Sequence, residues 1–156
     1  MTNEEELKSS LCNEFPFLAD SVAIKRQRRI FLSVSYERFP EVLGYAKTKL
    51  GFLYLSAITG LDEGQNLSVI YHLSRKDGAV LSIKTGVSSE NPVIKTLTPI
   101  FPCADMYERE LADLFGFIVE GLPEGYRYPL TDEWPSGEYP LRKAWKPKSV
   151  QGASNA

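Results

Sequence analysis

The densest run of chemistry-bearing side chains is Tyr107-Glu108-Arg109-Glu110-Leu111-Ala112-Asp113-Leu114-Phe115-Gly116. Wound as a helix at about 100° per residue, Tyr107, Leu111, Leu114 and Phe115 fall on one apolar arc. Arg109 and Asp113 lie four residues apart on the opposite side, the spacing at which opposite charges meet. Glu110 sits at the rim of the arc, one turn from Asp113. Glu108, Glu110 and Asp113 are groups suited to acid–base work or to holding Mg²⁺ or Ca²⁺. A hard cation needs several oxygen ligands in fixed geometry, however, and no acidic loop adjoins this string. The expected role is an ordered ion-pair network at an interface, with Arg109 paired to Asp113 and Glu110 directed at a neighbour.

Other candidates are weaker. Lys25-Arg26-Gln27-Arg28-Arg29 suggests an anion-binding patch, but it lacks interleaved aromatics. The formal charge of the whole chain is −2, with 18 basic against 20 acidic residues, which excludes a globally basic nucleic-acid binder. A solvated lead-in to a strand is expected there. His72 is the single histidine and has no cysteine nearby; a hydrogen-bonded structural role is expected rather than a metal site. Cys12 and Cys103 are too far apart for a CxxC site or a disulfide framework and suit a reducing compartment. Cys103 is expected to be a small buried side chain. Residues 60–64 lack the lysine and the spacing of a phosphate loop. No catalytic, cofactor-binding or metal residue is assigned, and no cofactor is expected in this chain.

The elements that position these residues follow from length and periodicity. A chain of 156 residues suits one domain, and 43% hydrophobic with 24% charged residues is ordinary for a globular protein. Leu7, Leu11 and Phe15 mark a helix over 4–15, whose acidic first turn suits the helix dipole. Alternation predicts strands over 30–36, 67–73 and 79–85, the last two joined by an Asp77-Gly78 hairpin turn. A helix opens at Pro40 and is capped by Gly51, and an apolar strand covers 52–59. The helix over 106–115 takes Asp105 as its N-cap and Glu108 as the third-position partner of a capping box. The resulting order, α-β-α-β-β-β, predicts an α+β fold: a mixed or antiparallel sheet of about four strands with flanking helices.

Beyond position 118 the composition changes. Five of the ten prolines lie in the last 40 residues, together with Tyr126, Tyr128, Trp134, Tyr139 and Trp145. A purely disordered tail would be poor in aromatics. An extended, Pro-rich docking arm over 119–156 is expected to follow the α+β domain over 1–118, laid on its own domain or on another subunit, with residues 149–156 frayed. The start is acidic and polar, without the apolar core of a leader peptide. No run approaches the length needed to span a bilayer, so membrane association is expected to go through a partner.

The string from Glu108 to Gly116 resembles the E-R-E-x-x-D-[LM]-[FY]-G signature of the 30-kDa subunit of respiratory complex I. Residues 91–104, Asn-Pro-Val-Ile-Lys-Thr-Leu-Thr-Pro-Ile-Phe-Pro-Cys-Ala, resemble the family's lead-in. Gly121-Leu122-Pro123-Glu124, Arg127, Trp134 and Pro140-Leu141-Arg142-Lys143 resemble its later motifs, so the likeness covers roughly residues 91 to 145. Gly121-Leu122-Pro123, where complex I members usually read G-H-P, is similar to the corresponding subunit of membrane-bound, energy-converting [NiFe] hydrogenases, including the formate hydrogenlyase type. The family's second arginine after Arg127 is replaced by Tyr128.

The resemblance implies an accessory subunit without a redox centre. It would sit in the peripheral arm of the complex, on the cytoplasmic face of the membrane. Its partners would be the large [NiFe]-hydrogenase-like, 49-kDa-type subunit and the small iron–sulfur subunit. Those partners would carry the NiFe centre and the iron–sulfur clusters, in electron transfer coupled to ion translocation. The implied subunit-interface residues are Glu108, Arg109, Glu110, Asp113, Arg127, Trp134, Tyr139, Arg142 and Lys143. The alternative parent is a complex I-type quinone-reducing NADH or related dehydrogenase.

Overall fold

Thr2 sets the start of the first helix: its hydroxyl accepts from Glu5 N at 3.3 Å, and its own N–H donates to Glu5 Oε2 at 2.7 Å. This reciprocal capping box satisfies two otherwise orphaned groups and opens α1 (Asn3–Glu14). The computed structural model describes residues 2–147; the fraying expected over 149–156 lies outside them. A hairpin of β1 (Ala23–Arg26) and β2 (Arg29–Ser33) follows, then α2 (Phe39–Thr48). Next come β3 (Tyr54–Asp62), β4 (Asn66–Ser74) and β5 (Val80–Ser88), then β6 (Val93–Lys95), α3 (Ala104–Phe115) and β7 (Ile118–Glu120).

The main sheet has five strands in the order β1-β2-β5-β4-β3. Within it only β2 and β5 pair in parallel; the other pairs are antiparallel. β6 and β7 form a separate parallel pair. The α+β class and the mixed sheet are as expected, but the four-strand count is short by one in the main sheet. The missing strand is β1. Its burial pattern does not alternate, because Lys25 and Arg26 hold both faces in water. The basic run is solvated as expected, but it builds a hairpin: Lys25 and Arg26 end β1, Gln27 and Arg28 (φ 60°) make the turn, and Arg29 opens β2. β6 and β7 have three residues each, too short to show a period. β7 runs across position 118, and residues 121–147 form neither helix nor strand.

Alternation decides which face is covered. Ile30 pairs with Leu81, Leu73 with Leu81, and Tyr71 with both Ile83 and Ile58. All are buried and join Leu11, Phe39, Val42, Leu43, Leu111 and Phe115 from the helices in one core. The ring of Phe39 stacks on Tyr71 at 4.5 Å. On the other face His72 bridges three strands, within 3.1 Å of Thr59 Oγ1 and 2.9 Å of Ser82 Oγ, the hydrogen-bonded structural role expected. Gly60 lets α3 approach β3: a Cβ there would lie 2.7 Å from the Phe115 ring and 2.8 Å from Leu111.

Candidate functional site

The charged face of α3 is the site to which the chain's later segments return. The helix begins two residues earlier than expected, after Cys103, which makes no side-chain cap. Asp105 is therefore not the N-cap and Glu108 is not part of a capping box. Both carboxylates are engaged elsewhere. Asp105 accepts from Arg109 Nε at 3.1 Å and from Nη2 at 2.9 Å, a two-pronged pair that aligns a planar guanidinium with a carboxylate. Glu108 is fully buried. Its Oε1 accepts from Leu97 N at 2.6 Å and its Oε2 from Thr96 Oγ1 at 2.5 Å, which pins the 96–97 segment to the helix. Burial raises its pKa above the ordinary value, against the two hydrogen bonds. Cys103 is exposed, correcting the expectation of a buried thiol: it stands at the helix entrance, outside the core.

The expected Arg109–Asp113 pair does not form. Arg109 turns toward the N-terminus to Asp105, and its remaining donors reach Pro123 O at 2.6 Å and Tyr126 O at 3.3 Å. Asp113, 8% exposed, accepts from Arg127 Nε at 2.5 Å and Leu130 N at 2.7 Å. Spacing alone allowed both Arg109 partners. An acid N-terminal to its base is the better arrangement on a helix, and that signal pointed to Asp105. Glu110 is half-buried and makes no hydrogen bond or ion pair among the described residues.

The downstream residues complete the lacing. Arg127 Nη1 donates to Trp134 O at 2.8 Å, and Trp134 Nε1 donates to Glu138 O at 2.8 Å. The rings of Trp134 and Trp145 lie 5.7 Å apart. Tyr139 packs on Gly116, where a Cβ would come within 2.5 Å of its ring and where φ is +74°. Leu141 N donates to Leu114 O at 3.1 Å, and Arg142 Nε donates to Phe115 O. These two contacts satisfy carbonyls that a helix end leaves orphaned. Lys143 N donates to Asp62 Oδ2 at 2.7 Å. That bond, with the one from Gly64 N at 2.8 Å, holds the Asp62 carboxyl below its ordinary pKa. Asp62, Asp105 and Thr96 are members of this network that sequence reasoning missed. Asp62 lies 81 residues from Lys143, and no local pattern connects them.

Among the described residues no helix is long and apolar enough to cross a membrane. Nor do any three His, Cys, Asp or Glu side chains among them gather as a metal site would require. The fold and site define a class: a mixed-sheet α+β module whose charged helix is laced by the irregular chain that follows it. The chain belongs to the family of the respiratory-chain NADH dehydrogenase 30-kDa subunit, whose family model matches residues 32–151. It is 31% identical over 140 residues to a subunit of the F(420)H(2) dehydrogenase of Methanosarcina mazei, covering 88% of each chain. It is 32% identical over 140 residues to formate hydrogenlyase subunit 5 of Escherichia coli, covering 86% of this chain but 24% of that one. A subunit of the membrane-bound sulfane sulfur reductase, an archaeal respiratory membrane complex, superposes with a TM-score of 0.81 at 25% identity, covering 93% of this chain and 86% of that one. Homologues also include the beta subunit of the Pyrococcus furiosus membrane-bound hydrogenase and subunits of NADH-quinone oxidoreductases. The homologues are thus subunits of oxidoreductase complexes.

Proposed function

We propose that this chain is an accessory subunit in the peripheral arm of a membrane-bound, energy-converting [NiFe] hydrogenase complex. In this reading it docks on the large, 49-kDa-type catalytic subunit, beside the small iron–sulfur subunit, on the inner face of the cytoplasmic membrane. The NiFe centre and iron–sulfur clusters reside in those partners, and this chain supports electron transfer coupled to ion translocation by holding its neighbours in place. The observation that carries the reading is a difference in chain organisation. An alignment of 140 residues takes in 88% of the F(420)H(2) dehydrogenase subunit, whereas one of equal length takes in only 24% of formate hydrogenlyase subunit 5. A module that makes up most of one relative and a small part of a much longer one supports a role beside a larger polypeptide, joined by an interface or by a peptide bond.

The second reading, a complex I-type quinone-reducing dehydrogenase, is favoured by 34% identity over 105 residues to a subunit of the NADH-quinone oxidoreductase of Chloroherpeton thalassium. Affinity purification from gently solubilised native membranes, followed by a nickel assay, separates the two. A large partner carrying nickel is the expected result. A large partner without nickel supports the second reading, and the absence of any large partner overturns both.

A further inference from the structure

A groove of about 720 Å³ runs between the start of α3 and the segment 123–128, within the size range of sites that enclose a ligand. Its walls include Met106, 47% exposed, Tyr126, 93% exposed, and Tyr128, 41% exposed. Tyr126 is the most exposed large hydrophobic side chain among the described residues. Such an aromatic ring, held by its backbone and free at its side chain, is what interface anchors look like before docking.

The charges of the groove do not cancel. Arg109 is paired with Asp105, and Arg127 with Asp113, so both guanidinium groups are neutralised within the chain. Glu124, on the same wall, is exposed and has no hydrogen-bond or ion-pair partner among the described residues. One unpaired carboxylate in a groove that two exposed tyrosines also line is complementary to a cation. Arginine fits best, because its planar guanidinium stacks on aromatic faces and meets a carboxylate with two bonds.

Resting on the reading above, we infer that this groove is a docking site for an arginine-bearing segment of the large subunit. The guanidinium lies between Tyr126 and Tyr128 and pairs with Glu124. Arg109, through its bonds to Pro123 O and Tyr126 O, is the positioning residue that shapes the wall.

The test uses the full chain co-expressed with the large subunit. Binding is measured for wild type, Glu124→Gln, Glu124→Lys and Tyr126→Ala, with Glu14→Gln on α1 as a control. None of the test side chains is buried, so thermal midpoints should match wild type. Expected are losses of about tenfold or more for Glu124→Lys and Tyr126→Ala, an intermediate loss for Glu124→Gln, and none for Glu14→Gln. In the intact complex a photo-crosslinker at position 126 should capture a large-subunit peptide containing arginine. Wild-type binding with no loss in the variants overturns the inference, as does a crosslink to an apolar or acidic segment. If the wild-type chain binds no large subunit, the proposed function itself fails.

Discussion

Arg127 reaches back fourteen positions to set its Nε 2.5 Å from Oδ1 of Asp113, while Leu130 N donates to the other carboxylate oxygen. One buried acid on α3 thus accepts both a side chain and a backbone amide from the irregular segment. Asp113 sits midway along the lacing, between the Arg109 contacts at 123–126 and the carbonyl contacts of Leu141 and Arg142. The charged face of the helix is in this way converted into an internal seam.

Replacing Asp113 by Asn should loosen that seam. The amide retains one acceptor but removes the charge opposite Arg127, which is partly exposed and can rehydrate. A loss of about 1–3 kcal/mol is expected, the range for breaking hydrogen bonds to a charged group. Denaturant unfolding measures the loss. Limited proteolysis should show earlier cleavage within 121–140 in the variant, and an unchanged cleavage pattern would mean that Asp113 does not hold the segment.

Gly116→Ala combines two faults. A left-handed φ disfavours any Cβ, by about 1 kcal/mol, and the Tyr139 ring occupies the space the Cβ needs. A combined cost of about 2–4 kcal/mol is expected, as for other strained or overpacked sites. A double-mutant cycle separates them: Tyr139→Ala should recover the steric part and leave the backbone part. Fully additive effects would show that the ring and the glycine do not interact.

The buried Glu108 gives stability a characteristic pH dependence. Its pKa is raised above 4.5 in the folded chain by burial, so the folded state holds its proton to higher pH than the unfolded state does. The contribution is fully present below the unfolded value and declines as pH rises through the raised one. Glu108→Gln, whose amide can still donate to Thr96 Oγ1 and accept from Leu97 N, should remove that decline. Glu108→Ala should cost about 1–3 kcal/mol by stranding Leu97 N. Unfolding curves from pH 4 to 8 provide the comparison; parallel pH profiles for wild type and Glu108→Gln would exclude this titration.

His72 acts in the opposite sense. Burial lowers its pKa below 6.5, so its stabilising contribution is present above 6.5 and is lost as pH falls through the depressed value. Because it is the only histidine, its imidazole signals in an NMR titration are unambiguous. A midpoint at or above 6.5 would contradict the assignment. His72→Gln should flatten the loss of stability on acidification below pH 6.5.

The sequence by itself determined the class of fold, the places of the three α-helices, three strands by their alternation and a fourth by its apolar run. It also carried the motif string that marks the family. Each of these is written locally: a period of two or 3.6, a glycine where the chain must turn left-handed, an acid run at a helix start. Only the tertiary structure decided which partner each charge takes. A helical projection puts Arg109 and Asp113 on one side, but it cannot show that Arg127 arrives from fourteen residues away or that Leu97 N covers Glu108 and buries it. It could not show β1, β6 or β7 either: β1 is a charged edge strand, and three residues cannot display a period. Ion pairing and short-strand pairing depend on distances between segments remote in sequence and on how much water each contact excludes, and those quantities exist only once the chain has folded.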